Sequence, residues 1–190
     1  TMLDQGVKRA DELSSEPQME ANIRSYLGKT YRSIRAYDQA QEQLERAIEL
    51  FVGESETKSE AQTELALVHE ALGNYLQAEP MLAVLLERKT KELGENHDEV
   101  IDAKIDLSTV YRRIGKVEKA EGLCVSALTI IRDQNRSTED PRMLKCMNEL
   151  AKIFLSRDKI AQAESMSRNV FERSRLSLGE KSSVSLIRGQ

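Results

Sequence analysis

Two pairs of carboxylates have a spacing at which their side chains could act together chemically. Glu60 and Glu64, and likewise Asp102 and Asp106, are four positions apart, which places each pair on one face of a helix. Paired carboxylates can serve as the acid and base of a glycoside hydrolase. No second catalytic motif accompanies them, and aromatic residues, which would form a sugar platform, make up only 4% of the chain. We therefore interpret both pairs as part of a charged surface.

The histidines and cysteines do not indicate a metal site or a catalytic site. His69 and His97 have no cysteine or aspartate at zinc-ligand spacing, so we expect His69 in a helical core and His97 in a turn. Cys124 and Cys146 fall on helical core positions, which favours structural thiols over redox sensing. Neither a Gly-rich phosphate loop nor a Gly-x-Ser-x-Gly motif is present. The sequence predicts no catalytic residue, no cofactor and no metal.

Composition and charge narrow the classes of partner. The net charge of −4 argues against a nucleic-acid binder, which would carry a basic face. No run of about 18 apolar residues exists, so we expect no membrane span. Two cysteines on core positions do not form a disulfide framework, which favours a reducing, cytoplasmic compartment. The N-terminal residues do not show the basic segment followed by an apolar segment that is typical of a secretory signal peptide, so we do not expect one.

A ladder of anchor residues recurs four times at intervals of about 40 residues, which is the signature of a repeat protein. Each copy begins with an anchor leucine, and these are Leu27, Leu65, Leu107 and Leu150. A small residue follows each leucine directly, as Gly28, Ala66, Ser108 and Ala151. An aromatic residue or histidine comes next, as Tyr31, His69, Tyr111 and Phe154. An alanine then recurs as Ala40, Ala78, Ala120 and Ala163. The small residues predict that neighbouring helices approach closely.

Each copy is predicted to form two amphipathic helices joined by a turn. The first helix of the first copy carries Ile23, Leu27, Thr30, Tyr31 and Ile34 on one face. Gly73 and Gly115 mark the turns of the second and third copies, whereas Asp158 takes that place in the fourth. Asp140 before Pro141 predicts a helix start with Asp140 as the N-cap.

The predicted chain is all-α, with four repeats between two flanking segments. The repeats are expected at residues 17–53, 57–94, 98–137 and 140–178, within a repeat region that extends over 17–180. A flanking helix within residues 1–16 is expected to cover the apolar face of the first repeat. Residues 181–190 are expected to begin a truncated further repeat or to form a capping segment.

The anchors resemble those of tetratricopeptide (TPR) repeats. Leu27-Gly28 with Tyr31 matches the start of that signature, and Ala40 and Ala47 follow. The longer period is similar to that of kinesin light chains. Ala78-Glu79-Pro80 and the linker from Leu93 to Val100 resemble the motifs of that subgroup, with Asp98 where proline is usual. The resemblance implies a right-handed α-solenoid of antiparallel helix pairs, a TPR-like superhelix whose first helices line a concave groove.

The groove implied by this resemblance defines a set of candidate partner-binding residues. In kinesin light chains an asparagine two positions before the anchor leucine holds a peptide backbone, and Asn148 keeps that amide here. We expect the groove to be acidic at its centre and basic at its ends, the alternative being a solvated helix face without a partner. The candidates are the polar residues on the outward stripes of the first helices: Asn22, Lys29, Arg32, Glu60, Glu64, Glu70, Asp102, Asp106, Arg112, Arg113, Lys145, Asn148 and Lys152.

The expected function is therefore that of a protein–protein interaction scaffold or adaptor. It would hold a peptide or helix of a partner in the groove, and an acidic centre would favour partners with basic residues. Two alternatives stay open. The chain could be a structural subunit that packs through its ends or its convex face, with self-association as one form of this. It could also be a sensor or regulatory segment of a larger multidomain protein.

Overall fold

The computed structural model describes residues 2–53, 55–134 and 140–187. Within these ranges the chain forms nine α-helices and no strand. The helices are α1 (Met2–Asp11), α2 (Pro17–Ser33), α3 (Tyr37–Leu50), α4 (Glu56–Leu72), α5 (Tyr75–Leu93), α6 (Asp98–Arg113), α7 (Val117–Asp133), α8 (Pro141–Ser156) and α9 (Ile160–Ile187). The predicted end of the third repeat at residue 137 lies outside the described residues, as do positions 188–190 of the predicted terminal segment.

The helices belong to two compact units, one comprising residues 1–85 and the other residues 86–190. We refer to them as the N-terminal unit and the C-terminal unit. In the N-terminal unit α2 packs against α3, and both contact α4. In the C-terminal unit α6 packs against α7, both contact α8, and α8 packs against α9. First helices of consecutive repeats thus lie side by side within each unit, as α2 with α4 and α6 with α8.

The core of the N-terminal unit is built from the apolar stripes of α2, α3 and α4. Its buried members are Ala21, Leu27, Tyr31, Ala40, Leu44, Ala47, Phe51, Ala61, Leu65 and Val68. The flanking helix α1 packs Leu3 and Val7 against this cluster and buries Ala10 completely. An apolar stripe on an isolated helix gains stability only by packing in this way.

The core of the C-terminal unit repeats this arrangement with α6, α7 and α8. Its buried members are Ile101, Ile105, Ala120, Cys124, Ala127, Leu128, Ile131, Met143, Cys146, Met147, Leu150 and Ile153. Both cysteines are therefore core residues with free thiols, as the sequence predicts. Met166 and Val170 of α9 pack against the same cluster.

Gly28 permits the closest helix contact that we find in the N-terminal unit. A Cβ atom on Gly28 would lie 2.8 Å from Leu44 Cδ2 and 3.3 Å from the carbonyl oxygen of Ala40. Both partners belong to α3, and Ala40 and Leu44 are fully buried. The predicted close approach at this position is thus confirmed. It explains why glycine occupies a helix interior, where it costs about 1 kcal/mol relative to alanine.

The turn inside each helix pair needs a left-handed residue where the first helix ends. Gly73 and Gly115 supply it with φ angles of 80° and 81°. Arg35 and Asp158 adopt the same conformation with φ angles of 63° and 59°, although they carry side chains. A non-glycine residue in this region costs roughly 1–2 kcal/mol, so the repeat geometry imposes the turn even without its preferred residue.

Three local features refine the sequence-based expectations. The carboxylate of Asp140 accepts a hydrogen bond from the Arg142 amide at 2.8 Å, which confirms the predicted N-cap. His97 has the same role for α6, because its Nδ1 accepts a hydrogen bond from the Glu99 amide at 3.2 Å. Ile34, expected on the packed face, is instead 60% exposed, because α2 ends at Ser33 and Ile34 follows as its C-cap. Thr30, expected on the same face, is also exposed, and its hydroxyl donates to the carbonyl oxygen of Tyr26 at 2.8 Å.

The last helix is longer than the repeat pattern indicates. The sequence predicts the end of the fourth repeat at residue 178, before Gly179, but α9 continues to Ile187. A single glycine inside a helix costs only about 1 kcal/mol, and no proline follows it to end the helix.

Two glycine-to-alanine substitutions should have opposite effects on stability. Gly28→Ala gains helix propensity but forces Leu44 to move, so we expect the free energy of unfolding to fall by about 1–3 kcal/mol. Gly122 lies inside α7, and a Cβ atom added there would have no heavy atom within 4 Å, so Gly122→Ala should raise that free energy by about 0.5–1 kcal/mol. Urea unfolding followed by circular dichroism measures both changes. Equal effects of the two substitutions would contradict the close contact.

Candidate partner-binding surface

The first helices present an outward stripe opposite the stripe that they bury. On α2 this stripe carries Met19, Asn22, Tyr26 and Lys29, which lie on one face because helical residues three, seven and ten positions apart align. Tyr26 is 68% exposed and Met19 is 50% exposed, so each presents a large part of its side chain to solvent. Asn22 is half-buried, and together with Met19 it lines a shallow cavity of about 370 Å³ at the start of α2.

In the N-terminal unit one ion pair joins the two first helices. The Arg32 guanidinium of α2 donates from Nε to the Glu64 carboxylate of α4. The side chain of Glu64 is only 13% exposed, so this pair is partly shielded from water. Glu60 and Lys29 are exposed, and Glu70 is half-buried. The predicted candidates of this unit therefore divide into three groups: the packed pair of Arg32 with Glu64, the exposed Lys29 and Glu60, and the half-buried Asn22 and Glu70.

In the C-terminal unit a series of ion pairs joins α6 to α8. Arg142 Nε lies 3.1 Å from Asp102 Oδ2, and Arg142 Nη1 lies 3.2 Å from Asp98 Oδ2. Lys145 Nζ lies 4.0 Å from Asp106 Oδ1. The aspartates that the sequence places at an acidic centre are thus each next to a cation of α8. The surface of this unit alternates in charge along the seam between the two helices.

The most buried pair of this series is Arg112 with Glu149. Arg112 donates from Nε to Glu149 Oε1, and their side chains are 13% and 4% exposed. Lys152 adds a second cation, with Nζ at 3.1 Å from Glu149 Oε2. Arg113 and Asn148 are exposed on the same two helices. Arg112 is therefore a structural residue rather than a group open to a partner, whereas Arg113 and Asn148 are accessible.

Five residues that shape these surfaces were not among the sequence-based candidates: Met19, Tyr26, Asp98, Arg142 and Glu149. A signal for the ion pairs was nevertheless available. Arg32 and Arg112 both stand five positions after an anchor leucine, and Glu64 and Glu149 both stand one position before the next one. An arginine and a glutamate thus recur at equivalent repeat positions in both units, which indicates that the same contact between first helices recurs. No comparable signal marks Tyr26, because its exposure depends on which stripe α2 buries.

Burial shifts the pKa values of the two cysteines and of His69 in favour of their neutral forms. Burial raises the pKa of the Cys124 thiol to about 11, and it also raises the pKa of Cys146. Cys124 Sγ lies 3.1 Å from Ser108 Oγ inside the core. Burial lowers the pKa of His69, and its Nδ1 has no hydrogen-bond partner among the described residues. These groups are packed in their neutral forms, as expected for core positions.

No helix in the described part of the chain is long and apolar enough to cross a membrane. Across the same residues, no group of three or more histidine, cysteine, aspartate or glutamate side chains is placed to hold a metal ion.

Comparison with known proteins assigns the fold. Residues 58–133 match the family model described as tetratricopeptide repeat. The chain is similar to a kinesin light chain-type protein from Podospora anserina with nearly identical TPR-like repeats, solved as a single-substitution variant. That similarity has a TM-score of 0.76 at 20% identity and covers 93% of this chain and 85% of the other. The fold is that of tetratricopeptide repeats. The resemblance inferred from the anchor residues is thereby confirmed.

Two further TPR-like structures show how widely this fold is shared. BtubC from P. vanneervenii is similar with a TM-score of 0.68 at 16% identity, over 92% of this chain and 71% of that one. The Rap conjugation gene regulator of plasmid pLS20, solved in complex with the Phr* peptide, is similar with a TM-score of 0.68 at 16% identity. It is matched over 85% of this chain and 44% of its own length. No curated protein sequence matches the chain.

Removing the buried carboxylate of the Arg112–Glu149 pair should destabilise the C-terminal unit. Glu149→Ala leaves Arg112 without its buried partner, so we expect the free energy of unfolding to fall by about 3 kcal/mol. The exposed pair of Arg168 with Glu164 is a matched control, because Glu164→Ala should change stability by less than about 0.5 kcal/mol. Urea unfolding measures both. Similar small losses in the two variants would show that Glu149 is solvated.

His69 should make stability depend on pH. Its pKa is lowered in the fold, so below the ordinary value of about 6.5 the unfolded chain binds a proton that the folded chain does not. Stability is therefore complete above that value and falls as the pH drops below it. His69→Phe should flatten the pH dependence below about pH 6.5. Thermal unfolding at several pH values measures this, and an unchanged slope in the variant would exclude His69 as the cause.

Proposed function

We propose that this chain is a protein-interaction scaffold that binds a segment of a partner protein along its first helices. The observation that carries the proposal is the outward stripe of α2, where Tyr26 and Met19 are exposed beside the amide of Asn22. Exposed aromatic side chains commonly dominate the energy of protein interfaces. An amide can donate to and accept from an extended peptide backbone at once.

The fold supports this proposal because it presents such stripes on a rigid base. The first helices α2 and α4 are joined by the Arg32–Glu64 pair, which restricts their relative movement. A partner segment then binds without first ordering the surface, and this reduces the entropic cost of association. Among proteins of the same fold, the Rap regulator was solved in complex with a peptide. We extend that mode of use to this chain as part of the proposal.

The charges suggest which partner residues the surface favours. Glu60 is an exposed carboxylate on α4 and makes no ion pair with a described residue, so it is available to a lysine or arginine of the partner. Lys29 on α2 would take an acidic residue. We propose a partner segment with an apolar or aromatic centre and basic residues on the α4 side. We also propose a reducing, intracellular compartment, since both cysteines are free buried thiols.

A catalytic function receives no support from the carboxylate pairs. Asp102 and Asp106 are each adjacent to a cation of α8, and Glu64 is bound to Arg32. Each of these three carboxylates therefore has a structural partner in the fold. We accordingly propose a role in binding and none in turnover.

The proposal predicts that partner segments depend on the α2 stripe. We suggest selecting peptides that bind the wild-type protein from a displayed library of natural sequences. The double variant Asn22→Ala with Tyr26→Ala should bind these peptides at least about tenfold more weakly. The reason is that an aromatic contact at the centre of an interface contributes about 2 kcal/mol to the binding free energy. Fluorescence anisotropy with the selected peptides measures the dissociation constants.

A second double variant controls for the number of side chains removed. Gln39 and Glu42 are exposed on α3, so Gln39→Ala with Glu42→Ala should leave the affinity of the same peptides unchanged. Circular dichroism must show that both double variants stay helical. Selected peptides that bind all three proteins equally would contradict a binding role for the first helices.

A further inference from the structure

The C-terminal unit contains a groove that belongs to no predicted site. It has a volume of about 710 Å³ and is formed by α7, α8 and α9. We name it the α9 groove and define it by six of its lining residues: Arg132, Met143, Met147, Phe154, Met166 and Arg173. Its α8 residues lie on a different stripe from Lys145, Asn148 and Lys152. It is therefore a separate surface from the first-helix stripe.

The floor of the α9 groove is apolar and adaptable. Met143 and Met147 are 6% and 5% exposed, so only a small part of each side chain reaches the groove. Phe154 and Met166 are half-buried beside them. Methionine is flexible and polarisable, and it is frequent on surfaces that accept apolar side chains of varied shape. A volume of this size is typical of cavities that enclose several side chains or a small ligand.

The rim of the groove is positively charged. Arg132 is exposed at the end of α7 and makes no ion pair with a described residue. Arg173 donates from Nε to Asn169 Oδ1, and its Nη1 lies 3.9 Å from the sulfur of Met143, which places its guanidinium at the edge of the floor. No carboxylate is among the described residues that line the groove. This local charge is opposite to the net charge of −4 of the chain.

We propose that the α9 groove binds an acidic, apolar segment of a partner protein. Leucine, methionine or phenylalanine side chains of that segment occupy the methionine floor, and an aspartate or glutamate pairs with Arg132 and Arg173. The pairing follows from charge complementarity, because guanidinium groups bind carboxylates in a bidentate manner. Ser165 and Asn169 on α9 add polar groups along the same wall. This proposal is independent of the first-helix surface, whose expected partner carries basic residues.

Methionine methyl groups provide a direct test. The chain has six methionines, of which Met143, Met147 and Met166 line the groove, whereas Met2, Met19 and Met81 lie in the N-terminal unit. We suggest titrating methyl-labelled protein with a short peptide of repeated Glu-Leu-Leu-Glu. Two further peptides serve as comparisons, one with lysine in place of glutamate and one with serine in place of leucine. We expect the first peptide to shift the three groove methyl signals and to leave the other three unchanged.

Charge-reversed variants then test the role of the two arginines. Arg132→Glu with Arg173→Glu should weaken binding of the Glu-Leu peptide on the order of tenfold, since two attractive contacts become repulsive. Arg168→Glu with Arg175→Glu makes the same change in net charge on exposed residues of α9 that do not line the groove, and it should leave the affinity within about twofold. Arg132→Glu alone serves as a second test variant. Because Arg132 is exposed, this substitution should weaken binding of the Glu-Leu peptide without disturbing the packing of the unit.

Each other outcome of these titrations would overturn the proposal. Equal binding of the lysine peptide would show that charge does not select the partner, and equal binding of the serine peptide would show that the methionine floor is not used. Shifts at Met19 in place of the groove signals would assign the peptide to the α2 stripe. Such shifts would leave the proposed first-helix function standing, so the two proposals can fail separately. Absence of any shift would exclude this class of partner for the groove.

Discussion

The close approach of two helices at a small side chain is the contact on which each unit depends. In the N-terminal unit Gly28 of α2 leaves room for Leu44 of α3, and in the C-terminal unit Ser108 of α6 contacts Cys124 of α7. The residues at these contacts are buried, and Leu44, Ser108 and Cys124 are completely so. Tight packing of this kind tolerates neither a gap nor an added methylene group. Because each helix pair is fixed at its closest point, the stripe that it turns outward is fixed as well.

The fixed packing of each helix pair also determines which side chains remain exposed on the first helices. The ion pairs of Arg32 with Glu64 and of Arg112 with Glu149 lie between the first helices of consecutive repeats, of which α2 and α6 are also packed against their own second helices at a small residue. Several of the charged residues that the sequence suggests for partner binding therefore form ion pairs within the protein surface. What remains for a partner is a smaller set of exposed groups, among which Tyr26 is the largest. A surface that is partly apolar and internally neutralised supports the proposed role in recognition.

The sequence predicts the repeats and the helix pairs well, because anchor residues recur and helical periodicity is local. It predicts the charge pattern poorly, because the partner of Asp102 is Arg142, 40 residues away and on another repeat. Local rules also miss Arg35, which adopts a left-handed conformation that arginine disfavours, because tertiary packing imposes the turn. The α9 groove could not be predicted for the same reason. Its floor and rim come from three helices whose relative placement no single stripe specifies.

Native-state hydrogen exchange measures the central contact most directly, since amides beside the tightest packing open only with the whole unit. We expect the slowest exchange in the N-terminal unit at Leu27 to Tyr31 and Leu44 to Ala47, and in the C-terminal unit around Ser108 and Cys124. Amides in α1 should exchange faster, because only one face of this short helix is packed. Exchange at Leu27 to Tyr31 as fast as in α1 would contradict the account, because the helix contact at Gly28 would then not hold the unit together.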